Sequence, residues 1–376
     1  MPRNKKGTRS LATYLRRSDM KLPLATGVLL LVLLLGCTSP PKTGPERAVY
    51  VANEKGASLS VVDAATNKVV ETIALGGHPH NVNVSADGKY FFATNHSEDE
   101  EEEAGKKEET EHDDHHAGGE SFVRILDART LQLVNSIALE QFGAHVVPSH
   151  DGRSLFASDQ GADFLEVLDL EEGTRLSRIK TGHGPHGFVV SPNDQFVYTP
   201  NVASNDITVI DVAAQEAIGT IVPEYGGHAC EKPVAMGIDT GGRYGVVTCG
   251  GSFDAYKIDF AEKKAVGRVE FRKGEYPGPI QTPLHPDGKT LYIPDMRNGV
   301  VHKVDFESFK LLKDIPVGKG AHGIAFSADG KTAYITLTWE NALAVLDLAT
   351  EQVRARIPVG EEPNGVAVRG GKNQGW

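Results

Sequence analysis

Residues 186–227 read HGFVVSPNDQFVYTPNVASNDITVIDVAAQEAIGTIVPEYGG, and this is the unit that the rest of the chain copies. An apolar run (187–190) leads into the turn cluster Ser191-Pro192-Asn193-Asp194, and a second run ends at Tyr198-Thr199-Pro200-Asn201. An alternating third run ends at Asp211, and a fourth covers 217–222. Short β-rich runs separated by Gly, Pro, Asn and Asp are the strands of one antiparallel meander.

The third run recurs as SLSVVD ending at Asp63, FVRILD at Asp127, FLEVLD at Asp169, TVID at Asp211, AYKID at Asp259, VHKVD at Asp305 and LAVLD at Asp347. Successive Asp positions lie 64, 42, 42, 48, 46 and 42 residues apart. A period just over forty, with four strands per unit, predicts an all-β fold: a seven-bladed β-propeller of four-stranded antiparallel blades over residues 47–371. Length alone allows two domains, but a single blade cannot bury its own faces, so all seven must close into one ring. The first unit begins at Ala48 without an innermost strand, and residues 364–369 are one strand too many. The C-terminal strand therefore pairs with the N-terminal blade and removes the free sheet edges, leaving 372–376 as a tail.

Hydrophobic residues make up 40% of the 376-residue chain, enough for a large core, and the 7% aromatic content suits packing of small residues between sheets. Residues 1–36 stand outside this pattern. Seven basic residues precede the apolar run 28–35, which is too short to span a bilayer comfortably, so the segment reads as an export signal. It ends Leu34-Leu35-Gly36-Cys37, which resembles the lipobox of bacterial lipoproteins and implies lipidation of Cys37. Arg16-Arg17 resembles a twin-arginine signal, with Asp19 where that motif wants an apolar residue. The Pro-rich residues 37–46 read as a tether between the lipid and the propeller. These features predict a bacterial lipoprotein on the periplasmic side of the outer (or inner) membrane, or at the cell surface. Cleavage before Cys37 removes seven positive charges and one negative, taking the formal charge from −11 to −17 and arguing against nucleic acid as a partner. Cys230 and Cys249 remain, an even pair that reads first as a disulfide in an oxidising compartment; a Cys-containing metal site with His228 is the alternative.

The turns between the first two strands of each unit, such as Ser85-Ala86-Asp87-Gly88 and Ser327-Ala328-Asp329-Gly330, supply tight reversals. Tyr50-Val51-Ala52-Asn53, Phe92-Ala93-Thr94-Asn95 and Tyr198-Thr199-Pro200-Asn201 resemble the YVTN family of β-propeller repeats. That resemblance implies the fold and leaves function to particular side chains.

Those side chains are histidines. With strands a to d numbered outward from the axis, loops alternate between the two faces of the ring, so d-to-a and b-to-c loops share one face. Counting back five residues from each turn gives His80, Ala144 (with His145 one step further), His186, Val234, Ile280, His322 and Asn364 at the channel mouth. One sector of this ring is polar, and the opposite one, Val234 and Ile280, is apolar. The insert at 96–120 interrupts the blade that carries His80 on the same face. It holds twelve carboxylates and two lysines from Glu98 to Glu120, together with His112, His115 and His116, and His96 stands at its root. A segment of this composition cannot collapse and reads as a disordered loop, while imidazoles and carboxylates at short spacing suit Zn²⁺ or Cu²⁺.

No nucleophile elbow, phosphate-cradling loop or haem-attaching Cys-x-x-Cys-His appears in the chain. The layout is similar to that of propeller-type periplasmic zinc metallochaperones, which combine a propeller with a His- and acid-rich loop. This resemblance implies a non-enzymatic, monomeric protein that captures a divalent transition metal, zinc first and copper second, and passes it to the binding protein of a metal transporter. His112, His115 and His116 would capture; His80, His145, His186 and His322 would hold; and capture should weaken below pH ~6.5, where imidazole protonates. The propellers of nitrous-oxide reductase and of the haem d1 part of nitrite reductase also resemble this one, but their copper and haem-c domains have no counterpart in the sequence. A protein- or glycan-binding scaffold without metal, and a lactonase-like propeller hydrolase, are the alternatives.

Overall fold

The computed structural model describes residues 43–97 and 120–371. The proposed signal, Cys37, most of the tether, His112, His115, His116 and the tail lie outside them. Among the described residues are six four-stranded antiparallel sheets, one three-stranded sheet and a two-stranded hairpin, with a single short 3-10 turn at Thr338–Glu340. The seven larger sheets are the blades. Blade 1 runs outward as Pro363–Val368, Ala48–Asn53, Ser58–Asp63 and Lys68–Ala74, so the last strand of the chain completes the first blade. Val49 pairs with Val368, Tyr50 with Ala367 and Val51 with Val366 across that seam. In blade 6 the innermost strand is reduced to two bridges, Pro279 to Asp295 and Leu284 to Leu291.

Burial falls from the axis outward. Ala48–Asn53 is buried at every position, whereas the outermost Lys68–Ala74 alternates between exposed and half-buried, as an edge strand facing solvent on one side must. The recurrent Asp has a local task. At each outer hairpin its carboxylate accepts hydrogen bonds from main-chain N–H groups two or three residues on, as Asp169 does from Glu171 at 2.9 Å and Glu172 at 2.8 Å. Four residues after each of these aspartates the chain turns left-handed, at Asn67, Leu131, Gly173, Gln215, Lys263, Phe309 and Glu351.

The Thr of the YVTN-like segments ties blades together. Thr94, Thr248 and Thr336 donate their hydroxyls to the carbonyls of Ala144 (2.9 Å), Ile280 (2.7 Å) and Asn364 (2.7 Å), each a ring position of the next blade. Glycine permits the crowding that results: a Cβ on Gly323 would sit 2.3 Å from the Asn364 carbonyl oxygen, and one on Gly365 would sit 2.8 Å from the Asn81 Cα. The residues just before these glycines, His322 and Asn364, are two of the ring positions.

Candidate functional site

The polar sector closes into a cluster. Donor atoms of His80, His145 and His186 all lie within 4.8 Å of one another. The His145 and His186 rings are 4.7 Å apart between centroids, and His80 lies 5.8 and 5.4 Å from them. His322 stands beside the trio, 6.4 Å from His80 and outside the group of three. His96 is further removed: its ring packs on Phe142 at 4.7 Å and on His78 at 5.6 Å. Opposite them, Val234, Ile280 and Met296 form a small apolar cluster.

His145 lies one residue off the ring position, yet its side chain joins the cluster. The strand Gly143–Pro148 is irregular between Gly143 and Val146, and in such a bulge successive side chains lose strict alternation.

Two of the rings are oriented by acceptors. His80 Nδ1 lies 2.9 Å from a Glu54 carboxylate oxygen, and His186 Nδ1 lies 3.0 Å from the Val234 carbonyl oxygen. Since neither partner can donate, each Nδ1 carries a proton, and Nε2 is the atom that bears the lone pair whenever the ring is neutral. The buried Nδ1 of His145 has no hydrogen-bond partner among the described residues. Burial, then the neighbouring His186, His80 and His322, holds the His145 imidazole well below the usual histidine range. Burial and then His80 hold His186 down at about 3, although its bond to Val234 raises it. Both rings are therefore neutral at pH 7, the state that ligates a metal. Burial pushes the Glu54 carboxyl up, but the attraction and hydrogen bond of His80, with His96 and His322 nearby, outweigh this and bring it to about 2.

Three points no more than 4.8 Å apart fit within a circle of radius at most about 2.8 Å, so a movement of no more than roughly 0.7 Å per ring reaches a Zn–N distance of ~2.1 Å. Three imidazoles, two held by second partners, form a donor set that zinc and copper accept.

Glu54 was not among the residues singled out from sequence. It follows the last residue of a b strand, and the equivalent positions are His96, Gln160, Val202, Gly250, Met296 and Thr338. That series follows the sectors of the ring in every blade but that of His186, where Val202 is apolar, a signal that aligning the repeats at this position would have exposed.

Cys230 and Cys249 are joined by a disulfide with their Cα atoms 5.4 Å apart, so neither thiolate is available beside His228. The turn serines are engaged locally: Ser149 Oγ donates to Asp151 and Ser327 Oγ to Asp329, both at 2.7 Å. The insert leaves and re-enters the blade at the mouth face, where Ser97 N–H donates to Glu120 O at 2.9 Å.

Residues 114–236 match the family model described as a lactonase, 7-bladed beta-propeller, and residues 286–370 match that of a YNCE-like beta-propeller. The uncharacterized protein YwhL of Bacillus subtilis (strain 168) is 23% identical over 309 residues, covering 76% of this chain; the chain spans 66% of that relative's length. The periplasmic gluconolactonase PpgL of Pseudomonas aeruginosa superposes with a TM-score of 0.66 at 18% identity, over 86% of this chain and 99% of that one. A putative 6-phosphogluconolactonase of Bacteroides uniformis ATCC 8492 gives 0.66 at 15% identity, again over 86% and 99%. Likeness at these identities speaks for architecture, and the chain is a seven-bladed β-propeller closed by pairing of its C-terminal strand with the N-terminal blade.

Proposed function

We propose that this protein is an exported, lipid-anchored propeller that binds a divalent transition metal, zinc before copper, and hands it to a partner such as the binding protein of a metal transporter. The carrying observation is the convergence of His80, His145 and His186 within 4.8 Å at the channel mouth. Among the described residues, His322 stands beside them, its ring 6.4 Å from that of His80. Packing alone does not call for the group: Val234 and Ile280 fill equivalent ring positions with apolar side chains. Burying polar rings where apolar ones fit costs desolvation, which a bound ion would offset.

The test is metal analysis of the full chain, produced without an affinity tag, beside His145→Ala and His186→Ala. The wild-type chain should hold close to one equivalent of zinc or copper at this site, and each variant should lose it. A wild-type chain with no metal above background, after incubation with zinc and desalting, sinks the reading.

A second reading, a lactonase-like hydrolase, is favoured by the lactonase family match and by the two gluconolactonase-type structures that share the fold. The imidazole cluster would then be its reaction centre. Hydrolysis of gluconolactone or a related sugar lactone that falls with His145→Ala would favour the enzyme. Metal retention without turnover would favour the carrier.

A further inference from the structure

Glu54 and the C-terminal strand meet at the seam of the ring, and their contacts reach the imidazole cluster. One carboxylate oxygen of Glu54 accepts from His80 Nδ1 at 2.9 Å, and the other accepts from the Asn364 side-chain amide. The main chain is tied at the same place. Glu54 N–H donates to Glu362 O and Gly56 N–H to Glu361 O, both at 3.0 Å, and Gly360 N–H donates to the Asn53 side chain at 3.1 Å. Gly365 N–H donates to the carbonyl of His80 itself at 3.2 Å. Thr338 Oγ1 donates to Pro363 O at 2.8 Å and lies 3.3 Å from Asn364 Oδ1, turning the Asn364 amide nitrogen toward Glu54. His80 is thus attached to Pro363–Val368 twice, once through its own backbone and once through Glu54, whose bond to Asn364 spans 310 residues of sequence.

We propose that Glu54 is the positioning residue of the imidazole site and that Asn364 couples it to ring closure, so ion binding and seating of the C-terminal strand are linked equilibria. The proposal rests on the metal-binding reading above. By linkage, whatever binds only the closed form must stabilise the closed form by the same factor. A strand held by one neighbour within its blade is a natural candidate for opening below the global transition. Release of Pro363–Val368 would remove Asn364 from Glu54 and Gly365 from His80, loosening the ring that completes the trio. A carrier that must surrender its ion gains an exit step in this way.

Zinc titration and amide hydrogen exchange on the full chain, wild type and Glu54→Gln, test this. Glutamine keeps the size but offers one acceptor where glutamate offers two, and His80 and Asn364 each need one. The variant should fold, bind zinc ~10–100-fold more weakly, as loss of an outer-shell partner does, and show an altered Co²⁺ absorption spectrum. In the wild type, zinc should slow exchange in 363–368 more than in the inner strand Pro233–Ile238 across the ring, and Glu54→Gln should abolish that difference. Asn364→Ala, which leaves Glu54 and all three imidazoles in place, should weaken zinc binding in the same direction. Glu54→Gln binding zinc with wild-type affinity and spectrum, or equal protection of both strands, overturns the coupling while leaving the metal site standing. Failure of the wild-type chain to bind zinc at all overturns the underlying site as well.

Discussion

Replacing Thr336 with valine keeps the shape of a buried side chain and deletes one hydroxyl, which makes it a clean probe of how the inner strands are held. Thr336 Oγ1 accepts from Gly323 N–H at 2.6 Å and donates to the Asn364 carbonyl at 2.7 Å. The first bond lies where the strand Ala321–Phe326 departs from regular pairing, between Ala321 and Ile324. Valine strands a buried donor and a buried acceptor together, so the cost is about 2–4 kcal/mol, taking about 1–3 for the amide and about 1 for the lost donation. Thr248 supplies the control. It is equally buried and donates to Ile280 at 2.7 Å and Ala235 at 3.3 Å, but it serves the apolar sector and, among the described residues, accepts no main-chain N–H. Thr248→Val should cost only about 1 kcal/mol.

Urea unfolding at pH 7.5 measures both variants, with an unchanged m-value as the condition for comparing them. A zinc titration then separates the sectors. Thr336→Val should weaken binding several-fold, because Asn364 and His322 flank the bond that is lost, whereas Thr248→Val should bind as the wild type does. If the two variants lose equal stability, or if Thr248→Val impairs zinc binding as much as Thr336→Val, the hydroxyl bridges do not position the site and the account of the ring is wrong.

Acid should destabilise the metal-free chain through its buried imidazoles. His186 sits at about 3 when folded against ~6.5 when unfolded, so the unfolded chain takes up protons first and stability present above pH ~6.5 is lost as pH falls toward 3. At pH 5 the loss from this residue is about 2 kcal/mol, and His145 adds to it in the same direction. Unfolding of chelator-treated protein at pH 7.5 and 5 checks this, and His186→Gln should flatten the slope. Opening the Cys230–Cys249 bridge, which spans 19 residues, should cost about 3 kcal/mol on loop-entropy grounds, read as the change in urea midpoint for the paired Cys→Ser variant. Ser149→Ala and Ser327→Ala should each lower stability by about 1 kcal/mol and leave zinc binding and any lactone hydrolysis unchanged, because both hydroxyls are spent on their turns.

The fold was legible because its repeated residues do repeated local work. Asp63, Asp169 and Asp347 recur because each closes an outer hairpin, and such short-range tasks leave a mark at fixed spacing. The histidines were found because their type stands out against the repeat. Glu54 was not, because carboxylates are abundant in this chain and its partners, His80 and Asn364, are 26 and 310 residues away. The basicity of the cluster was also beyond the sequence. A reading with ordinary imidazoles places the loss of metal capture near pH 6.5, whereas burial among like groups moves His145 and His186 lower, a property of the packed cluster rather than of any one residue.

A sevenfold repeat presents seven nearly equivalent positions at its mouth, so whatever distinguishes one propeller from another must lie where that equivalence is broken. Here the break is directional. Val234, Ile280 and Met296 meet on one side, while His80, His145 and His186 meet on the other with His322 beside them and the Glu54 carboxylate against His80. The valine and isoleucine show that apolar side chains fit the ring. Imidazoles at the same level are therefore no requirement of packing, and they bring a desolvation cost and acid sensitivity that the apolar half avoids. A feature that costs the fold stability and yet gathers three imidazoles, with Glu54 and Val234 orienting two of them, is the arrangement that the proposed metal site requires.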